Sequence, residues 1–244
     1  FKFNNFQECF DLYKKSLCID STHIACLTNY SSTLLNFAQT EKKDCLFLES
    51  LKNSNQAYTI NPNDPIAMSG YAQANLGYGT FKKDENLLKN SIEIFMKLIS
   101  EYPDENFYKQ SYALALSCLA SIKQESITFE KSFHEFESYL ALKPDDYQVL
   151  ENYISALFEC FHITNQTNLL DTAYKYIHQS LTLKPDETYN LACYYSLKND
   201  VDLAHKYLIN VEHQGNLPLI EHLISDKDLD NIRKERWFIE LLER

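Results

Sequence analysis

Glycine and proline are scarce in this chain, with four Gly and six Pro in 244 residues. Both fall below average usage. An all-β sandwich or barrel wants many Gly-rich turns, and a phosphate-cradling loop needs Gly for close backbone approach, so neither is expected. Long apolar runs are missing too. Nothing approaches the roughly 20 residues that a membrane span requires. Positive charge is in deficit, with 23 Lys and Arg against 34 Asp and Glu and a formal net charge of -11. That surplus repels phosphate backbones and anionic bilayers, so neither nucleic acid nor membrane is expected as a partner. No Cys-x-x-Cys pair occurs among the seven Cys. An odd number of Cys scattered through apolar stretches reads as small core hydrophobes in a reducing, cytoplasmic compartment. The opening Phe1-Lys2-Phe3-Asn4-Asn5 is not a signal peptide. The missing initiator Met reads as a region of a longer protein.

What is present is a repeat, and at this length it can bury a sizeable core as one extended array or two small domains. Pro62, Pro103, Pro144 and Pro185 lie 41 positions apart, and one further step back lands on Ser21. The same step links Tyr30, Tyr71, Tyr112, Tyr153 and Tyr194. It links the small residues Cys9, Ser50, Ser91, Ser132 and Ala173. It also links Tyr13, Ser54, Phe95, Phe136 and Ile177, mostly bulky. Several independent columns in one register define a repeat of supersecondary units.

Each unit reads as two helices. Helix A follows the Pro, as in Glu105 to about Ile122, and helix B precedes the next Pro, as in Phe129 to Leu142. Phe129, Phe133, Phe136 and Leu140 form one apolar stripe along B. Thr128, Asn168 and Asp84 sit where B helices should begin and suit N-caps. Proline then ends B, because it lacks the N–H donor and disfavours helix in the residue before it. The small column lets B approach A closely. One pair cannot bury both its apolar faces, so units must stack.

The last unit carries the clearest family signature: Tyr189-Asn190-Leu191-Ala192-Cys193-Tyr194-Tyr195-Ser196-Leu197, then Asn199-Asp200, Ala204 and Leu208, closing near Pro218. This resembles the tetratricopeptide repeat. The earlier units carry seven extra residues between the helices, in stretches such as 38–44 and 79–84, and predict longer A helices, longer A–B loops, or both. Asp226 to Leu242, with Leu229-Asp230-Asn231-Ile232-Arg233 before Phe238-Ile239-Glu240-Leu241-Leu242, resembles the closing segment of bacterial arrays. Trp237, Phe238, Leu241 and Leu242 would then cover the last pair. The resemblance implies an all-α fold, a right-handed α-α superhelix of about five helix pairs. The expected divisions are 1–21 (an orphan B helix), 22–62, 63–103, 104–144, 145–185, a standard-length repeat at 186–218 and a cap at 219–244. Phe3, Phe6 and Phe10 of the orphan helix are expected to be left without an upstream A helix, an exposed apolar end that marks missing chain or an interface.

Motifs for chemistry are lacking. Cys160-x-His162 is too short for a zinc site, and no His pair has the i, i+4 spacing of a helical metal site. No nucleophile elbow occurs. Acidic pairs such as Asp145-Asp146 sit at helix starts, where they favour the dipole. Lys42-Lys43 and Lys82-Lys83 read as solvated loop charges. No cofactor, no metal and no enzymatic activity are expected.

The resemblance places a ligand groove along the A helices. The positions it implies are Thr28, Ser32 and Asn36; Ser69 and Gln73; Gln110, Leu114 and Ser117; Gln148, Glu151, Ser155 and Glu159; then Tyr189 and Cys193. These are polar and mostly neutral, without Lys or Arg. A clamp for a terminal carboxylate needs cationic donors, so that ligand is not expected. The reading is a protein-interaction scaffold binding a protein or peptide segment. The alternatives are a peptide-responsive regulator and a non-catalytic part of a larger enzyme or assembly.

Overall fold

The structure, a computed structural model, describes residues 2–243, with side chains from Phe6 onward. Among these residues there are thirteen α-helices, one 3-10 helix and no strand. The helices are α1 (Lys2–Ile19), α2 (Ile24–Glu41), α3 (Asp44–Ile60), α4 (Pro65–Lys82), α5 (Glu85–Glu101), α6 (Asn106–Lys123) and α7 (Ser126–Leu142). They continue as α8 (Tyr147–Thr164), α9 (Thr167–Leu183), α10 (Tyr189–Leu197), α11 (Val201–His213), α12 (Ile220–Ser225) and α13 (Arg236–Leu242), with the 3-10 helix at Lys227–Ile232. The chain divides into two compact units, 1–135 and 136–244, with the division inside α7.

The 41-residue step governs the helix ends. The A helices α2, α4, α6 and α8 are each 18 residues, and the B helices α3, α5, α7 and α9 are each 17. The seven extra residues therefore lengthen helices, and only two residues join each of these A helices to its B helix. That turn is made one way throughout. Lys42, Lys83, Gln124 and Asn165, again 41 apart, all adopt left-handed backbone with φ of 52, 55, 55 and 54°. A left-handed residue after the last helical turn lets its N–H reach the helix's last carbonyls, as Lys83 does to Gly79 and Thr80. Asp84 caps α5, accepting from the N–H groups of Asn86 and Leu87. Thr128 and Asn168 do not cap. Thr128 is the third residue of α7 and Asn168 the second of α9, and Thr128 instead reaches back to the Glu125 carboxylate.

The residue columns explain the packing. Ser50, Ser91, Ser132 and Ala173 are fully buried where B crosses its own A helix. Ser50 and Ser31 each donate to the other's carbonyl oxygen at 2.8 Å, and Ser132 donates to that of Ala113 at 2.8 Å. The bulky column then meets the tyrosine of the following A helix. Tyr13 stacks on Tyr30 with ring centroids 5.2 Å apart, and Phe136 stacks on Tyr153 at 5.3 Å. Phe95 shares a core cluster with Tyr112. The phenols bond outward to acids, Tyr30 to Glu49 at 2.7 Å and Tyr153 to Glu137 at 2.9 Å.

Two expectations need correction. Phe6 and Phe10 are not left bare: Phe10 is buried with Tyr30 and Leu34, and Phe6 stacks on Phe37 at 4.7 Å. Phe3 lies outside the described side chains. Of the seven Cys, Cys18 and Cys45 are exposed rather than core. In the C-terminal segment Phe238 and Leu241 are buried, while Trp237 stacks on His205 at 4.1 Å.

Candidate functional site

In the first unit the A helices lie side by side, α2 against α4 and α4 against α6. A cavity of about 630 Å³ opens along them, lined from α2, α4 and the start of α6. Thr28, Ser32, Asn36, Ser69 and Gln73, five of the residues the sequence singles out, come together there. Their chemistry is not uniform. The Thr28 hydroxyl donates to the Ile24 and Ala25 carbonyls at 3.0 and 3.2 Å, so its hydrogen stays within its own helix. The Gln73 amide donates to Ser111 Oγ at 2.6 Å and ties α4 to α6. Ser32 and Asn36 are exposed.

The lining also contains Ile66, Phe107, Tyr108 and Glu105, which the sequence reading passed over. Ile66 is 62% exposed and Phe107 49% exposed. Large apolar side chains this open inside a cavity offer apolar surface that a ligand could cover. Their register signal was available: Ile66, Phe107, Gln148 and Tyr189 are successive 41-residue equivalents in the first turn of A, and the latter two were selected. Half-buried Tyr108 has its phenol raised above the ordinary value, first by burial and then by Glu105, Tyr102 and Asp64. Gln110 is half-buried and outside the cavity lining. Ser117 is buried and donates to the Leu114 carbonyl at 2.9 Å, and it does not line the cavity either.

In the second unit the selected residues do other work. Gln148 and Ser155 are exposed, and Gln148 reaches Asn152 at 3.4 Å. Glu151 accepts from the Asn190 amide at 2.8 Å, joining α8 to α10, and burial raises its carboxyl against that bond. Tyr189 and Cys193 are covered by the chain's own residues 226–232. The Tyr189 hydroxyl donates to Asp226 Oδ2 at 2.6 Å, and the Cys193 thiol faces the same oxygen at 3.9 Å. Asn231 donates to the Ser196 carbonyl at 2.8 Å, and His162 Nε2 meets Asp228 Oδ1 at 2.6 Å.

Among the described residues, Cys193, Asp226 and Asp228 bring three possible metal-ligand atoms within 4.8 Å of one another. Burial pushes the thiol well up, so its proton stays favoured, and burial also raises Asp228 against the opposing bond from His162. With Tyr189 and His162 bonding the two carboxylates, the group reads as the fastening of residues 226–232 onto α8 and α10.

No protein-family model and no curated protein matches the chain. Among solved structures the chain is similar to the crystal structure of the MamA protein at 15% identity, over 75% of this chain and 85% of that one, with a TM-score of 0.49. It is also similar to the human IFIT1 dimer with PPP-AAAA at 12% identity, over 86% of this chain and 69% of that one, with a TM-score of 0.33. No helix among the described residues is long and apolar enough to cross a membrane.

Proposed function

We propose that this chain is a non-catalytic, tetratricopeptide-type binding scaffold and that the cavity along α2, α4 and α6 holds a peptide segment of a protein partner. The exposed Ile66 and Phe107 inside that cavity carry the reading. An apolar pair framed by Ser32, Asn36, Ser69 and Gln73 suits a segment that buries one large side chain while its backbone meets amides and hydroxyls. The lining contains no Lys or Arg and one carboxylate, so phosphate-rich ligands are disfavoured and a protein is the better partner.

Selection of a random dodecapeptide library on the immobilised chain tests this. Enriched peptides should lose at least about tenfold in affinity for a chain carrying Ile66→Ser and Phe107→Ser. Both side chains are exposed, so the thermal melt should hold. Enriched peptides that bind the double variant as well as the parent would overturn the reading.

A further inference from the structure

We propose that the segment held in this cavity carries a Lys or Arg next to its apolar anchor, selected by the carboxylate of Glu105. The proposal rests on the groove reading above and adds the chemistry of the occupant. Ile66 and Phe107 occupy the same register position on successive A helices, and together they form the apolar seat of the cavity lining. Tyr108 and Glu105 adjoin that seat in the lining, and Asp64 lies two positions before Ile66 at the cap of α4.

The two acids differ in commitment. Asp64 is fixed, its Oδ1 accepting from the N–H groups of Ile66 and Ala67 at 2.8 and 2.9 Å. Glu105 occupies the equivalent cap position on α6 but makes no capping bond, and it is exposed. It is the charged residue of the lining, available to a cation that arrives with a ligand. Asp104 on the same turn is exposed and deepens the negative field.

The nearby cations do not cancel that field within the cavity. Lys97 is taken up by Glu101 at 3.9 Å and Asn63 at 3.4 Å. Lys109 sits at the register position filled by buried Leu27, Met68 and Leu150, and it is not part of the lining. Helix α2 has no Lys or Arg at all, and α4 has one, Lys82, in its last turn and paired with Asp44 at 2.7 Å. A partner laid along these helices meets amides, hydroxyls, apolar surface and negative charge. An apolar residue beside a Lys or Arg complements that set, and an apolar residue beside Asp or Glu is repelled.

The test is the same dodecapeptide selection, run in parallel on the parent, on Glu105→Lys and on Phe107→Ser, with thermal melts confirming that each is folded. Peptides enriched on the parent should place Lys or Arg adjacent to an aromatic or aliphatic residue, and the Glu105→Lys selection should lose that bias. A fluorescein-labelled synthetic copy of the most enriched parent peptide should bind Glu105→Lys about tenfold more weakly at low salt, with the gap closing at high salt. Peptides that depend on Phe107 yet show no basic bias, or that bind Glu105→Lys undiminished, would overturn the proposal and leave the groove reading standing. Peptides indifferent to Phe107, or no enrichment at all, would end both.

Discussion

Ser91 and Ser132 occupy equivalent positions where a B helix crosses its A partner, and they should respond to alanine with opposite sign. Both are fully buried. Ser132 Oγ donates to the Ala113 carbonyl at 2.8 Å, whereas Ser91 Oγ is buried without a hydrogen-bond partner. Alanine is close to isosteric with serine, so cavity terms are small, and its helix propensity helps both sites by about 0.5 kcal/mol. Ser132→Ala loses a buried bond worth about 1 kcal/mol net and should cost about 0.5 kcal/mol after the propensity gain. Ser91→Ala removes an unpaired hydroxyl whose desolvation costs about 1–3 kcal/mol, and should stabilise by about 1.5 kcal/mol or more. The two variants should therefore melt about 4–8 °C apart, the Ser91 variant above the parent and the Ser132 variant below it. Thermal denaturation followed by far-UV circular dichroism reads this directly. Shifts of the same sign and size would show that the hydroxyls do not matter and that the column is held by closeness of approach alone.

The left-handed turns and the fastening at residues 226–232 make two further predictions. Lys42→Gly and Lys83→Gly should each raise stability by about 0.5–1 kcal/mol by relieving left-handed strain, while Asn165→Gly should gain less because Asn tolerates that conformation; urea midpoints rank the three. The bond to Asp228 raises His162 above its ordinary 6.5 against the effect of burial, with Glu159 adding to the rise and Lys227 opposing it. Burial raises Asp228, with Asp226 and Glu159 adding to it and His162 opposing. A raised His contributes stability that is complete below its unfolded value and lost as pH climbs through its folded one. A raised Asp is costly to ionise in the folded chain, so that cost also grows with pH. The urea midpoint should fall as pH rises through and above 6.5, and His162→Asn should flatten the fall. An equally steep fall in that variant would refute the assignment.

The hairpins were legible because several columns share a step and each column has a packing reason. Tyrosine, small and bulky residues at one spacing, with proline stops, leave little freedom about which faces meet. Helix starts were harder to read. Thr128 and Asn168 have the right chemistry for caps, but the two-residue turn sets the start three and two residues earlier, at Glu125 and Gln166. The destination of the seven extra residues was open, since polar stretches such as 38–44 are compatible with an exposed helical turn or a loop. Half of the candidate site was found for the converse reason. Polar residues in the A register drew attention, while the apolar Ile66 and Phe107 at the matching position were passed over. Tyr189 and Cys193 were assigned to an open face because residues 226–232, which cover them, come from 33 or more positions later in the chain.

The identical two-residue turns also bear on how such a chain can change length. One residue more or less within a hairpin would rotate everything beyond it by about 100° about the helix axis and throw the tyrosine stacks out of phase. Removal of a 41-residue block, such as 65–105, would instead join equivalent points and leave every remaining cap and crossing matched to its neighbour. Variants of this architecture should therefore gain or lose whole hairpins, in quantised steps, and the nine-residue α10 marks the place where that quantum was broken.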